Sequence, residues 1–155
     1  MNALVIYFSK SGNTKAIAET IAATLGSSGN ARTLSLEKVA TADLKDIDVV
    51  VFGSPTYRMN LPAEIKSFFE SAPKRSLRNV SAAAFDTSYK MSSFLSHFTA
   101  AKKLTGKLRR LGGKIIVPPQ TFYVTKMEGP RYNLYDSEIE RAKAWAETIL
   151  GKIKR

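Results

Sequence analysis

The chain has 155 residues, is 44% hydrophobic, and carries 24 lysines and arginines against 13 acids, a formal net charge of +11. That length suits a single domain spanning residues 1–155, and the apolar content supplies a full core, which excludes a disordered chain. With no cysteine and one histidine, His97, there is no material for disulfides, thiolate or zinc sites, a cysteine nucleophile or a histidine triad, so no metal site is expected.

Apolar runs alternate with helical patterns, without internal repeats, low-complexity segments or linkers. This predicts a parallel sheet with helices on both faces. Ala3 to Phe8 reads as a doubly covered first strand. A helix follows from about Asn13 to Leu25, with Ile17, Ala18, Ile21, Ala22 and Leu25 on one face, and Gly26, Gly29 and Asn30 end it. Ala31 to Leu36 is a short second strand, and Leu44 belongs to a brief helical turn. Ile47 to Gly53 is the clearest strand and runs into Ser54-Pro55-Thr56-Tyr57. Pro62 stands where a helix begins, Ile65, Phe68, Phe69 and Ala72 form its buried stripe, and Pro73 closes it.

Val80 to Phe85 is the fourth strand, ending in the loop Asp86-Thr87-Ser88-Tyr89. The next helix carries Phe94, Phe98, Ala101, Leu104, Leu108 and Leu111 on one face, and Gly112-Gly113 stop it. Lys114 to Val117 is the fifth strand, followed by Pro118-Pro119 and an extended continuation, Thr121 to Val124. After a long loop, Lys126 to Tyr135, Asp136 or Ser137 caps the last helix, with Glu140 completing a capping box. Ile139, Ala142, Trp145, Ile149 and Ile153 face its core side. The expected architecture is a three-layer α/β/α sandwich with a five-stranded parallel sheet of order 2-1-3-4-5.

The carboxyl ends of strands one, three and four converge at the switch point of such a sheet. The first loop holds Ser9, Lys10, Ser11, Gly12, Asn13 and Thr14: three hydroxyls, an amide and a glycine before a helix start, which suits a phosphate. It is neither a Walker loop nor a dinucleotide fingerprint. The second loop carries Pro55, Thr56, Tyr57, Arg58, Met59 and Asn60, and the Tyr57 ring suits stacking on a flat ligand. In the third loop, Asp86 is either a helix cap or a ligand contact, Thr87 and Ser88 suit polar ring edges, and Tyr89 offers a second aromatic wall. A phospho-receiver module shares this topology but needs carboxylates where Ser9 and Ser54 stand.

On these residues the chain resembles the flavodoxin family. The family's signature requires two aliphatics, an aromatic, then Ser/Thr, a small residue, Thr, Ala and an aliphatic at set spacings. Val5, Ile6, Tyr7, Ser9, Gly12, Thr14, Ala18 and Ile21 fill every specified place. The resemblance implies a flavodoxin-like fold binding FMN non-covalently and transferring electrons. The first loop would hold the ribityl phosphate, Tyr57 would lie against the isoalloxazine, and Asp86 or Thr87 would meet the pyrimidine edge, with Asn60 near flavin N5. Phe85-Asp86-Thr87 departs from the glycine-rich pattern of many electron-carrier flavodoxins and marks a divergent branch. The alternative within the same fold is an NAD(P)H-dependent quinone or FMN reductase.

From Thr87 to Met127 there is no acid, while Lys90, Lys102, Lys103, Lys107, Arg109, Arg110, Lys114 and Lys126 are present. This stretch is either a solvated helix face or a docking surface for an acidic redox partner, such as a ferredoxin-like protein or a reductase. No base-reading motif appears, so nucleic acid is not an expected partner. No apolar run approaches the roughly 20 residues of a membrane span, and no leader precedes the first strand; a cytoplasmic protein is expected. His97 reads as a structural histidine beside the Phe94/Phe98 stripe.

Overall fold

A computed structural model describes residues 1–56, 60–90, 99–125 and 133–153. The strands are β1 (Asn2–Tyr7), β2 (Asn30–Ser35), β3 (Val49–Pro55), β4 (Ser81–Tyr89), β5 (Lys114–Ile115) and β6 (Gln120–Val124). The helices are α1 (Asn13–Leu25), α2 (Ala63–Ser71), α3 (Ala100–Arg110) and α4 (Glu138–Ile153). The sheet is parallel with the order β2-β1-β3-β4-β5, as expected, and β6 is an additional strand paired with β4.

Strand residues alternate between two cores because successive side chains point to opposite faces. Val5, Val51, Ala83 and Phe85 pack against α1 and α4 through Ile17, Ile21, Trp145 and Ile149. Leu4, Ile6, Val50, Phe52 and Ala84 pack against α2 and α3 through Ile65, Phe69, Leu104 and Leu108. Phe85, Phe122 and Trp145 stack edge to face in the first core, with ring centroids 5.9–6.2 Å apart. Phe52, Phe68 and Phe69 cluster in the second.

The principal departures from expectation lie at the sheet's far edge. Asp86 to Tyr89 is not a loop but the second half of β4, because the extended continuation of the fifth strand expected at Thr121 to Val124 runs on beside it. Phe85 to Tyr89 pair in parallel with Gln120 to Val124, while β5 pairs only with Ser81 and Ala82. Between them Pro118 and Pro119 lack the N–H groups a ladder needs, so the edge strand breaks there and resumes. Leu134 then bridges antiparallel to Val124. The third strand starts and ends two residues later than expected, so Ser54 and Pro55 belong to it. Pro62 is the N-cap of α2 rather than its first residue.

The Ser137–Glu140 capping box is replaced by a different lock. Glu138 is buried, and its carboxylate accepts from the Tyr123 N–H at 2.7 Å and from Arg141 Nη1 at 2.6 Å, while Glu140 pairs with Lys143. Phe94, His97 and Phe98, the loop residues 126–132, and Tyr57, Arg58 and Met59 lie outside the described residues.

Gly53 sits where β3 passes under Phe85, and an added Cβ would overlap that ring. Gly53→Ala is expected to destabilise the fold by about 1–3 kcal/mol through overpacking. Gly106 lies inside α3 with nothing near its missing Cβ, so Gly106→Ala is expected to stabilise by about 0.5–1 kcal/mol. Urea unfolding of both variants checks the opposite signs.

Candidate functional site

The sheet register brings three chain ends together. Tyr7 pairs with Gly53 and Gly53 with Phe85, and the Phe8 N–H donates to the Gly53 carbonyl at 3.0 Å. The chain therefore leaves β1 beside the last residues of β3 and the second half of β4.

At the first end, the turn into α1 depends on Gly12, the helix N-cap, at φ 94° and ψ −8°. That left-handed conformation is open to glycine and strained for residues with a Cβ. Ser9 Oγ accepts the Gly12 N–H at 3.1 Å, and Asn13 Nδ2 donates to Ser11 Oγ at 3.3 Å, which folds the polar side chains around the turn. Gly12 offers the helix no side-chain oxygen, and α1 has no acid in its first turn. The positive end of the helix dipole thus lacks a compensating group from the helix itself, in a loop where Lys10, Ser11 and Gly12 are exposed. A Cβ on Gly12 would meet nothing within 4 Å, so there is room over the turn. Oxygen-rich side chains, an uncompensated dipole and open space above them fit a phosphate.

Thr14 behaves differently from its loop neighbours. Its side chain is buried, and its hydroxyl lies 2.8 Å from that of Thr87 on β4. This contact ties the first loop to the end of β4.

The ends of β3 and β4 are joined by a buried carboxyl. Thr56 Oγ1 donates to Asp86 Oδ2 at 2.6 Å and accepts the Ala100 N–H at 3.1 Å. Asp86 Oδ2 also accepts the Ala101 N–H at 3.2 Å. Of the two roles open to Asp86, the cap is realised: α3 receives its N-terminal acceptors from Thr56 and Asp86, while its N-cap residue, Thr99, makes no side-chain cap. The Thr56 N–H donates to the Thr87 carbonyl at 3.0 Å, closing the same junction through the backbone. Asn60 Oδ1 accepts from Lys103 Nζ at 3.1 Å, a further tie to α3.

Asp86 is completely buried, and burial pushes its pKa above the ordinary carboxylate value. The Thr56 hydroxyl, Thr121, the Ala101 N–H and Thr99 oppose that shift. Thr99 and Thr121 approach the carboxyl, but no hydrogen bond of ordinary geometry reaches Oδ1. These two threonines are absent from the sequence-based set. Thr99 carried no usable signal, because it stands inside the apolar stripe expected from Phe94 onward.

Ser9 to Thr14, Pro55, Thr56, Asp86 and Thr87 therefore gather around one sheet edge. Tyr89 stands three residues beyond Asp86, about 10 Å along the strand, and is 40% exposed. Tyr57 and Arg58 lie outside the described residues. Among the described residues no cluster of His, Cys, Asp or Glu is placed to hold a metal. No helix among them is long and apolar enough to cross a membrane.

Removing the Asp86 carboxyl strands the Thr56 hydroxyl and the Ala101 N–H, so Asp86→Ala is expected to cost about 1–3 kcal/mol. The pH dependence has a definite sign. With its folded pKa raised, Asp86 binds its proton more tightly in the folded than in the unfolded chain. Its contribution is fully present below the unfolded value near 3.8 and is lost as pH rises through the folded value. The stability of wild type relative to Asp86→Asn should therefore fall with rising pH across that window. Urea unfolding of both proteins against pH checks this, and a flat difference would contradict it.

Comparisons with known proteins agree with this arrangement. A family model described as a flavodoxin domain matches residues 4–139. A flavodoxin of Clostridium saccharobutylicum is 29% identical over 163 aligned positions, covering 100% of this chain and 99% of that protein. Among solved structures, a flavodoxin from the domain Archaea superposes with a TM-score of 0.79 at 24% identity, with full coverage of both chains. Oxidised flavodoxin 1 from Bacillus cereus gives 0.77 at 17% identity, covering 97% of this chain and 98% of that one. The family match spans the strand, the Gly12 turn, the Thr56–Asp86 junction and most of the remaining fold, and the chain belongs to the flavodoxin family.

Proposed function

We propose that this chain binds FMN non-covalently at the three strand ends and carries electrons between partner proteins. FMN is the cofactor of the flavodoxin family. The observation that carries the reading is the Gly12 turn, with its uncompensated helix N-terminus and the hydroxyls of Ser9 and Ser11 around open space. Ser9, Ser11, Gly12, Asn13 and Thr14 would hold the phosphate, and Lys10 adds positive charge beside it. Pro55, Thr56, Tyr57, Arg58 and Asn60 would border the ring system from the second loop. Asp86, Thr87 and Tyr89 would border it from β4.

Bound FMN supplies the redox chemistry; the protein binds and orients it and sets its electrostatics. Thr56 and Asp86 hold the end of β3 against α3, which keeps two walls of the site at a fixed separation. Lys90, Lys102 and Lys103 lie at the end of β4 and the start of α3, on the same side of the sheet as the site. Positive charge there suits an acidic redox partner and would speed its encounter.

Purified protein should be yellow, and denaturation should release FMN. A colourless protein that takes up no added FMN would overturn the reading. Steady-state assays should show no rapid NAD(P)H oxidation with a quinone, which separates a carrier from a reductase. The net charge of +11 stabilises an anionic reduced flavin relative to an acidic family member. Potentiometric titration should accordingly give a less negative reduction potential than an acidic flavodoxin's, and an equally low potential would contradict that expectation.

A further inference from the structure

Six basic side chains converge at the pole of the sheet opposite the proposed FMN site. Between Glu70 and Glu128 the only acid is Asp86, which is buried. Residues 71–127 therefore carry ten of the eleven net positive charges. Part of that charge lies near the strand ends already described. The rest converges elsewhere.

Lys74, Arg75 and Arg78 lie on the connection from α2 to β4. Arg109 and Arg110 end α3, and Lys114 opens β5. Close packing brings the three segments together. The Leu77 N–H donates to the Leu111 carbonyl at 2.9 Å, and the Lys114 N–H to the Val80 carbonyl at 2.9 Å. A Cβ on Gly112 would lie 3.3 Å from Arg78 Cα and 3.7 Å from Arg75 Cα, so only a glycine lets these backbones approach so closely, and at φ 94°. Lys114 pairs with Ser81 at the start of β4, whereas Asp86 and Thr87 lie near its other end. The two regions are separated by roughly 20 Å of strand.

All six side chains are exposed, and among the described residues none makes an ion pair or a side-chain hydrogen bond. The helix dipole favours Arg109 and Arg110 in the last turn of α3. It gives no reason for Lys74, Arg75, Arg78 and Lys114 to gather beside them. Asp48 reaches the same pole from the β1 side, but its carboxylate is held by the Asn2 N–H at 2.7 Å. Such a cluster costs stability through self-repulsion unless an external anion offsets it.

We propose that this pole binds the phosphate backbone of a nucleic acid without reading its sequence. The patch contains no exposed large apolar side chain; Tyr89 and Tyr135, the two among the described residues, both lie elsewhere. Protein interfaces are centred on aromatic and apolar residues, and membrane-surface segments insert apolar groups, so neither is well matched. Phosphate contacts need only cations, and arginine forks suit phosphate oxygens. Backbone binding requires no base-reading motif, and a partner seated here leaves the FMN site open.

The test is fluorescence anisotropy of the full chain with a short fluorescein-labelled DNA duplex of mixed sequence. Binding should weaken about 100-fold between about 50 and 200 mM salt, as expected for roughly four neutralised phosphates. Replacing Arg75, Arg78, Arg109 and Arg110 together by Gln should remove most of the affinity and flatten the salt slope. Replacing Lys15, Lys38, Lys66 and Lys143 by Gln should leave both nearly unchanged. Should the first variant not fold, Arg109→Glu with Arg110→Glu on the helix alone should give the same loss. The proposal is overturned by absence of duplex binding, by equal losses in both quadruple variants, or by tighter binding to phosphatidylserine vesicles or an acidic protein than to the duplex.

Discussion

The buried Asp86 carboxyl is the constraint on which the geometry of the site depends. One oxygen accepts from the Thr56 hydroxyl and the Ala101 N–H, and Thr56 in turn accepts from Ala100. The end of β3, the second half of β4 and the start of α3 are thereby locked together. A neighbouring hydroxyl pair, Thr14 and Thr87, adds the fourth segment. The arrangement replaces a local cap on α3 with one borrowed from two strand ends, so helix stability and site geometry rest on the same hydrogen bonds. Desolvating a carboxyl is costly, and the surrounding donors offset only part of that cost.

Rigidity around Asp86 contrasts with the turn at Gly12. There the structure supplies donors and open space, with no side-chain cap from Gly12 and no acid in the first turn of α1. A helix N-terminus without a negative group of its own is poised for an anion. The first loop thus serves as the anchor, while the Thr56–Asp86 junction acts as the frame holding the other walls. A basic surface surrounds much of this half of the molecule, and its charge divides between the site's end of β4 and the opposite pole.

Much of the architecture was legible in the sequence because buried parallel strands and amphipathic helices leave strong periodic signals. Sheet order, the two cores and the Gly12 turn follow from residues such as Val49–Phe52, Ile17–Ile21 and Ser9–Thr14. The far edge was less legible. Asp86-Thr87-Ser88 has a turn-like composition, yet it is strand because Gln120–Val124 continues the edge beside it, a long-range contact no local pattern encodes. The role of Glu138 was hidden for a similar reason: its partner, the Tyr123 N–H, lies 15 residues away in the sequence, a pairing no local pattern encodes. The cap on α3 was half legible, since Asp86 as a helix cap was one of two readings, but its pairing with Thr56 depends on strand register.

The most direct test of the site is an amide chemical-shift map of the isotope-labelled apoprotein titrated with FMN. The largest shifts should fall on Ser9 to Thr14, with a second group at Thr56 and Asp86 to Tyr89. Saturation with shifts confined elsewhere, for example to the groove between α1 and α4 lined by Ala16, Thr20, Ala23 and Ile139, would contradict it.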